Sequence, residues 1–466
     1  MYRAFTLGLV AFFILLLPPI SETYSSSGAE IVAPNYKTKV KVKLLPTASF
    51  STKISGEYAV INLDNNETIY LETSNTISFT QKDLKIEATV NKELITSTKG
   101  FDIVEFALNE NNYVEISSIS RSAGNVPVPY RGSFIIEPGN DGNPVLYNTL
   151  DMENYLRAVV PSEMPAYWAS QNPKALEALK AQAVAARSYA YNELYIKNKP
   201  FILTTTSSQV YNGKSAEHAL TDQAVTETAG IYAVYNNKPI EAFFHSSSGG
   251  FTENSEDVWT NPVPYIRGVA DSYDKHPDNN YYGWTVNALQ ENISKSLNLS
   301  DKEMLLSLKP TIQTAGGSIK LMSATIYNKD TNTKSEKPLT VASPDRYRSF
   351  FGIVLKSLKF KVTNDSNAKI MMPDGSQQSA DHLIGYKIQK SDGTVEPIEQ
   401  QNITVKLKSN SIYLPAIATQ FSFSGNGWGH GLGMSQWGAR SMAEQGFTFD
   451  QILKYYYTGI EVKKLE

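Results

Sequence analysis

Residues 172–197 read NPKALEALKAQAVAARSYAYNELYIK, and this stretch indicates how the chain folds. Asn172 has a side chain that caps helices, and Pro173 suits the first helical position. Apolar residues then recur at steps of three and four from Leu176 to Ala190. The pattern predicts a helix with an apolar face of small side chains. Because so many of these are alanine, we expect another element to pack close against that face.

The composition is that of a globular protein. Hydrophobic residues make up 41% and charged residues 19% of the 466 positions, and this length predicts two or three domains. The formal net charge is −3, without a block of like charges. We therefore expect no nucleic-acid partner, because binding nucleic acid requires a basic face.

The N-terminus has the layout of a secretory signal. An apolar run at residues 4–17 follows Arg3 and precedes a polar stretch. We interpret residues 1–28 as a signal peptide or, alternatively, as an uncleaved membrane anchor. Either interpretation predicts an exported protein that meets the membrane only through this segment. The chain has no cysteine, which excludes disulfides, thiol catalysis and thiolate metal sites.

The hydrophobic pattern predicts an α+β fold. Residues 29–129 form a predicted β-rich region, because short segments such as 58–63 and 68–71 have the composition of strands and flank a turn. A helical layer would follow, holding the chemically active residues between strands on both sides.

The remaining sequence is predicted to form one mixed domain in three parts. Residues 130–284 would form its first part, and residues 285–420 a β-hairpin insertion or continuation. Residues 421–466 would complete it. Within that last part, Thr448 and Gln451 predict a capping box at the start of a helix.

Glu163 is the candidate catalytic residue. It stands between Pro161 and Pro165, which we expect to fix the backbone and to keep the carboxylate off a regular helix. Apolar and aromatic neighbours would dehydrate the carboxyl and raise its pKa, as a general acid near neutral pH requires. The alternative is a solvated glutamate in a proline-rich turn.

Two further stretches supply polar candidates for binding a substrate. Arg187 lies on the predicted helix and would bind a carboxylate, or it belongs to a solvated stripe. His245 ends a predicted strand at 240–244 and precedes Ser246 and Ser247. A serine hydrolase is disfavoured because the Gly-x-Ser-x-Gly elbow is absent. A structural histidine beside a hydroxyl-rich loop is the alternative.

The stretch GNGWGHGLGMSQWGA, residues 425–439, has six glycines in fifteen positions. Glycine lets the backbone approach a ligand closely, and tryptophan faces suit sugar rings. The alternative is a tightly packed turn with its tryptophans in the core. The candidate binding residues in this stretch are Trp428, His430, Ser435, Gln436 and Trp437.

We predict no metal and no cofactor. The chain has five histidines, and no pair has the spacing of a helical zinc site. A site built from His218 and His245 with carboxylates is the remaining alternative, and zinc is doubtful without cysteine.

Four stretches in order carry a family resemblance: YLRAVVPSEMP (155–165), ALKAQAVAARSYA (178–190), HSSSGGFTENSEDVW (245–259) with PVPYIRGV after it, and GWGHGLGMSQWGARSMAEQG (427–446) leading to ILKYYYTG. Together they resemble the stage II sporulation protein D family, which includes an amidase-enhancer branch. The resemblance covers roughly Tyr130 to the C-terminus.

The resemblance implies a lytic transglycosylase that cuts the MurNAc–GlcNAc bond of peptidoglycan without water. The family's catalytic acid is the glutamate of the EMP motif, here Glu163. Some members hold zinc partly through cysteines near the HSSSGG motif, and we do not carry that zinc over because this chain has none. The expected partners are peptidoglycan glycan strands and a cell-wall amidase. The alternative is a glycan-binding amidase enhancer that does not cut.

Overall fold

The computed structural model describes residues 36–121, 124–366, 368–372, 374–406 and 409–465. The predicted signal peptide or anchor at residues 1–28 lies outside the described residues. Within the described ranges, no helix combines the length and the apolar character that crossing a membrane requires. Helices and strands are both abundant, and a β-rich region comes first, so the predicted α+β class is confirmed.

Strands make up most of the described residues before the first helix. They are β1 (Lys39–Leu44), β2 (Ser49–Ser55), β3 (Tyr58–Asn62), β4 (Thr68–Leu71), β5 (Thr76–Lys82), β6 (Lys85–Val90), β7 (Glu93–Ser97), β8 (Phe101–Glu105), β9 (Tyr113–Arg121), β10 (Gly124–Tyr130), β11 (Ser133–Pro138) and β12 (Pro144–Asp151).

Later strands are distributed among smaller sheets of two or three strands. They are β13 (Ile202–Leu203), β14 (Ile231–Tyr235), β15 (Lys238–Pro239), β16 (Phe244–His245), β17 (Trp284–Leu289), β18 (Glu303–Gln313), β19 (Ile319–Asn328), β20 (Thr333–Pro338), β21 (Phe360–Asn364), β22 (Ala368–Met371), β23 (Gln377–Ala380), β24 (Lys387–Gln389), β25 (Val395–Pro397), β26 (Asn402–Lys406), β27 (Ser411–Pro415), β28 (Gln420–Gly425), β29 (Met434–Ser435) and β30 (Glu461–Lys464).

The α-helices follow the first twelve strands in the sequence. They are α1 (Met152–Glu163), α2 (Tyr167–Gln171), α3 (Leu176–Tyr191), α4 (Ala219–Glu227), α5 (Ser255–Val258), α6 (Gln290–Ser296), α7 (Tyr347–Phe350), α8 (Gln436–Glu444) and α9 (Phe449–Tyr456). The predicted capping box at Thr448 is present at the start of α9.

The N-terminal strands build two sheets that share one core. The seven-stranded sheet has the order β13-β1-β12-β11-β8-β3-β4, and the six-stranded sheet has the order β10-β9-β2-β5-β6-β7. Phe79 on β5 meets Phe101 on β8 with ring centroids 6.1 Å apart, so the sheets pack face to face. The first sheet uses strands from both sides of residue 129, so it joins the predicted β-rich region to the segment that follows.

Helix α3 separates two hydrophobic cores. Ala183 and Ala186 belong to the core of the N-terminal sheets, whereas Ala181 and Ala185 belong to the core built by the C-terminal half. All four side chains are fully buried. The helix is therefore buried on more than the one face that its sequence predicts, and alanine lets neighbouring elements approach from both sides.

Strand pairing joins the two ends of the segment 285–420. Strand β28 lies between β17 and β21, and Trp284 faces Gly425 in that sheet. Strands β18–β20 and three two-stranded hairpins fill the interval, as the sequence predicts. Strand β28 ends at Gly425, which is the first residue of the glycine-rich stretch.

The two-sided burial of α3 predicts the effect of enlarging one of its alanines. We expect Ala185→Leu to lower the free energy of unfolding by about 1–3 kcal/mol, because the added carbons meet a filled core. Urea unfolding would measure the change. The matched control is Ala219→Leu at an exposed position of α4, which should shift the free energy by less than about 0.5 kcal/mol. Equal effects of the two substitutions would contradict the packing described for α3.

Candidate functional site

The predicted site residues meet only in part, at one cleft of about 510 Å³. Its walls come from the end of α1, the segment 206–208, the segment 243–246 and the glycine-rich stretch. The predicted residues that line it are Glu163, His245, Ser246, Trp428, His430 and Gln436. The cleft thus brings the candidate acid and an exposed tryptophan to the same surface.

Glu163 is the last residue of α1, which contains Pro161 within its final turn. The prediction that the two prolines hold this carboxylate off a regular helix is therefore wrong. Pro165 nevertheless explains where the helix ends, because the residue before a proline is pushed to extended backbone. Met164 has φ −128° and ψ 126°, and its backbone leaves the helix there. The carboxyl is presented from a rigid helical end.

The Glu163 carboxyl is partly dehydrated. Burial raises its pKa to about 7, and the backbone N–H of Val210, 2.6 Å from Oε1, opposes the rise. The direction agrees with the prediction from sequence. A carboxyl with this pKa is protonated in about half of the molecules at neutral pH. It is therefore suited to give and then to recover a proton.

Two histidines stand in the wall of the cleft, both anchored to Leu432. The Nδ1 of His245 donates to the Leu432 carbonyl at 3.1 Å, and the Nδ1 of His430 accepts from the Leu432 N–H at 3.0 Å. Their ring centroids are 5.6 Å apart. Burial lowers the pKa of His245 well below its usual range and that of His430 to about 4. Both rings are neutral at physiological pH.

The two histidines differ in their contacts within the protein. The Nδ1 of His430 accepts from the Leu432 N–H, and its ring centroid lies 5.3 Å from that of Trp259. The Nε2 of His245 is buried and has no hydrogen-bond partner among the described residues. Both rings line the cleft. The Nε2 of His245 is an acceptor that no described group uses.

The glycines of the stretch are required by packing against the protein's own backbone. A Cβ at Gly429, which has φ 115°, would lie 2.7 Å from the Cβ of His245. At Gly433 it would lie 2.1 Å from the carbonyl oxygen of Phe243. Strands β16 and β29 pair in parallel at this contact. The predicted strand at 240–244 is mostly wrong, since only its last residue, Phe244, is in β16.

The two tryptophans of the stretch occupy different places. Trp428 is 42% exposed and lines the cleft, with its ring centroid 4.8 Å from that of Tyr281. Trp437 is 8% exposed and packs on Trp168, with ring centroids 4.7 Å apart. Trp437 is absent from the cleft lining, so its predicted place in this site is wrong.

Ser247 and Ser435 are buried and bind a carboxylate of the protein instead of lining the cleft. The Oγ of Ser247 donates to Asp274 Oδ2 at 2.7 Å, and the Oγ of Ser435 donates to Asp274 Oδ1 at 2.6 Å. Ser435 also accepts the Gly438 N–H at the start of α8. Their predicted contact with substrate is replaced by a structural role.

Asp274 is the centre of this buried network. It accepts three further hydrogen bonds, from the backbone N–H groups of Ser248 and Gly249 and from the hydroxyl of Tyr282, at 2.9–3.0 Å. Asp271 lies beside it and accepts from the hydroxyl of Ser248. Burial and the neighbouring Asp274 raise the pKa of Asp271 to about 7. The network ties the HSSSGG loop to the glycine-rich stretch.

Arg187 does not reach the cleft. Its side chain is fully buried, and its guanidinium donates to both carboxylate oxygens of Glu153 at 2.9 and 2.6 Å. It also donates to the Ile231 and Val225 carbonyls. The prediction of a substrate-binding arginine is wrong at this position, because these partners use the guanidinium to join α3, α1 and β14.

The segment 285–420 supplies cleft residues that the sequence did not reveal. Asp345 and Arg348, which form an ion pair of 3.2 Å, both line the cleft. The signal available in sequence was only a proline followed by alternating charges. Two carboxylates of the stretch 245–259 lie outside the cleft lining: Glu253 is buried against Lys359, and Glu256 pairs with Arg267.

Zinc held partly by cysteine does not fit the residues present. The chain has no cysteine, His430 uses Nδ1 on the Leu432 N–H, and His245 uses Nδ1 on the Leu432 carbonyl. His218 caps α4 through the Leu220 N–H. In the part of the chain that the structure describes, no three His, Asp or Glu side chains are grouped to hold a metal.

The sequence is similar to a known family model and to several known proteins. Residues 140–235 match the family model described as stage II sporulation protein. An uncharacterized protein of Brachyspira hyodysenteriae is 31% identical over 340 residues, which are 72% of each chain. The stage II sporulation protein D of Bacillus subtilis is 28% identical over 336 residues, 68% of this chain and 76% of that protein.

The chain belongs to the stage II sporulation protein D family. The amidase enhancer of Bacillus subtilis is a further relative, 33% identical over 317 residues. That match covers 65% of this chain but only 39% of the amidase enhancer. The family model spans α1, α3 and α4, and so includes Glu163 and the helix that separates the two cores.

Removing the Asp274 carboxylate should destabilise the cleft wall formed by the HSSSGG loop and the glycine-rich stretch. We expect Asp274→Ala to lower the free energy of unfolding by about 3 kcal/mol or more, because several buried donors lose their acceptor. Asp274→Asn, which keeps one acceptor oxygen, should lose less. Chemical denaturation measures both, with exposed Asp301→Ala as the control. A loss for Asp274→Ala no larger than the control's would show that the network does not hold the wall.

Proposed function

We propose that the chain is an exported peptidoglycan lytic transglycosylase that acts in sporulation or wall remodelling. The observation that carries this proposal is a partly dehydrated glutamate, Glu163, at the end of a rigid helix in an aromatic-walled cleft. The family membership supports it, since relatives are named stage II sporulation protein D and amidase enhancer. Export rests on the apolar N-terminal segment of the sequence.

The reaction begins with proton donation. Glu163 in its neutral form protonates the oxygen that bridges N-acetylmuramic acid and N-acetylglucosamine, and the bond from that oxygen to the anomeric carbon breaks. The pKa of about 7 keeps the acid form populated at the pH where the reaction runs. The N-acetylglucosamine side leaves as an alcohol.

The second step returns the proton. The muramic acid's own C6 hydroxyl attacks its anomeric carbon, and the Glu163 carboxylate takes the hydroxyl proton. A 1,6-anhydro ring forms, and Glu163 is again neutral. Because the nucleophile belongs to the substrate, much of its entropy cost is already met. One positioned carboxyl is sufficient for both steps.

The other cleft residues would hold the sugar in place. Trp428 offers an exposed face for stacking against a pyranose ring. Ser246 and Gln436 line the same cleft with hydrogen-bonding side chains. His245 is neutral and keeps one nitrogen without a partner among the described residues, so it suits accepting a hydrogen bond from the sugar or its N-acetyl group.

A second function is favoured by one observation. The relative named amidase enhancer suggests that this chain grips glycan and stimulates a separate cell-wall amidase without cutting. The same cleft serves this function, with Glu163 as a binding group. The two functions differ in whether covalent bonds of the glycan are broken.

Substituting Glu163 separates these functions. We expect the purified protein to release 1,6-anhydro-muramic products from peptidoglycan and Glu163→Gln to reduce their rate by at least about a hundredfold, because the acid is lost. Mass spectrometry of the digest measures the products. The matched control is Asp345→Asn, the other carboxylate of the cleft, which should retain anhydro products.

Other outcomes each have a definite meaning. Anhydro products that persist at full rate in Glu163→Gln would overturn the role of this residue. Absence of any cleavage by the unmodified chain would favour the amidase-enhancing function. Products with a reducing muramic end, lost in both variants, would indicate a hydrolase that uses two carboxylates.

A further inference from the structure

A second depression of about 530 Å³ lies beside the cleft and has no part in the chemistry proposed above. It is lined by residues of α2, of the segment 278–281 and of α8. Trp437, which its sequence context predicts in the catalytic cleft, lines this depression instead.

The floor of the depression is rigid and aromatic. The ring of Trp437 is packed between Trp168, at 4.7 Å, and His276, at 5.4 Å. The Arg440 guanidinium lies 5.1 Å from the centroids of both tryptophan rings. Arg440 also forms ion pairs with Asp278 and Glu444, so its position is fixed by charge as well as by stacking.

The rim of the depression meets the cleft at Tyr281. Tyr281 belongs to the depression, and its ring contacts Trp428, which lines the cleft. The Lys356 ammonium lies over both rings, at 5.9 and 5.1 Å. The two surfaces are therefore continuous at this contact. Tyr167 also lines the depression and follows Glu163 by four residues in the sequence.

Large rings are exposed along this path. Tyr167 is 53% exposed and Trp428 is 42% exposed. Exposed aromatic rings beside polar side chains are typical of surfaces that stack on the apolar faces of sugars. Gln171 and Asn280 are exposed at the same depression, and their amides suit hydroxyl and N-acetyl groups. Aromatic rings and amides together suit an amino-sugar polymer, because its sugar rings have apolar faces and also carry hydroxyl and N-acetyl groups.

We propose that the glycan strand continues from the cleft over Trp428 and Tyr281 into this depression, which binds further sugars of the same strand against Tyr167. The inference rests on the proposed function and names the part of the polymer that the cleft itself does not hold. The strand is held at a distance from the bond that reacts, so these contacts set affinity for long strands and not the chemistry of the step.

Binding to oligomers of defined length tests this inference. The full chain with Glu163→Gln would be titrated by calorimetry with peptide-free GlcNAc–MurNAc oligomers of two, four and eight sugars. We expect affinity to rise with length. Adding Tyr167→Ala should weaken binding of the eight-sugar oligomer about tenfold and change binding of the two-sugar oligomer less than about twofold. Tyr167→Phe, which keeps the ring, should restore affinity.

The control is Tyr413→Ala, a tyrosine 74% exposed on β27, which should leave every affinity unchanged. Equal affinity for all three lengths, or no effect of Tyr167→Ala on the longest, would overturn the second subsite and leave the proposed function standing. If the chain carrying only Glu163→Gln binds no oligomer of any length, the proposed function fails and this inference fails with it.

Discussion

Asp274 accepts five hydrogen bonds in the protein interior, and the wall of the cleft depends on them. An isolated buried carboxylate is costly, and it is tolerated only when donors surround it. Here the donors come from three segments of the chain: the loop at 247–249, Tyr282 and Ser435. A single charge therefore fixes the relative position of the segment that carries His245 and the helix that carries Gln436.

The glycine-rich stretch gains its order from the same arrangement. Its backbone lies so close to the segment 243–249 that a side chain at Gly429 or Gly433 would overlap it. The entropy lost by ordering these glycines is offset by strand pairing and by the hydrogen bonds to Leu432. The close approach is therefore explained by packing within the protein. The part of the stretch that stays exposed to a substrate is chiefly Trp428.

Much of the fold could be predicted from local pattern, and part of the site could not. Spacing and capping predicted α3 and α9 because those signals act within a few turns. The pKa of Glu163 was predicted in the right direction, although its place on α1 was not. Arg187 and Trp437 were misplaced because their partners, Glu153 and Trp168, come from other elements. Asp345 was missed because only the tertiary fold brings its segment to the cleft, more than 180 residues after Glu163 in the sequence.

The central claim is that the cleft dehydrates one carboxyl and so holds it ready to exchange a proton near neutral pH. The most direct measurement is a carbon-13 NMR titration of the glutamate side-chain carboxyls, with Glu163→Gln used to assign the signal. We expect the signal that is lost in the variant to titrate with a pKa near 7. A pKa near 4.5, the ordinary value for a solvated glutamate, would contradict it.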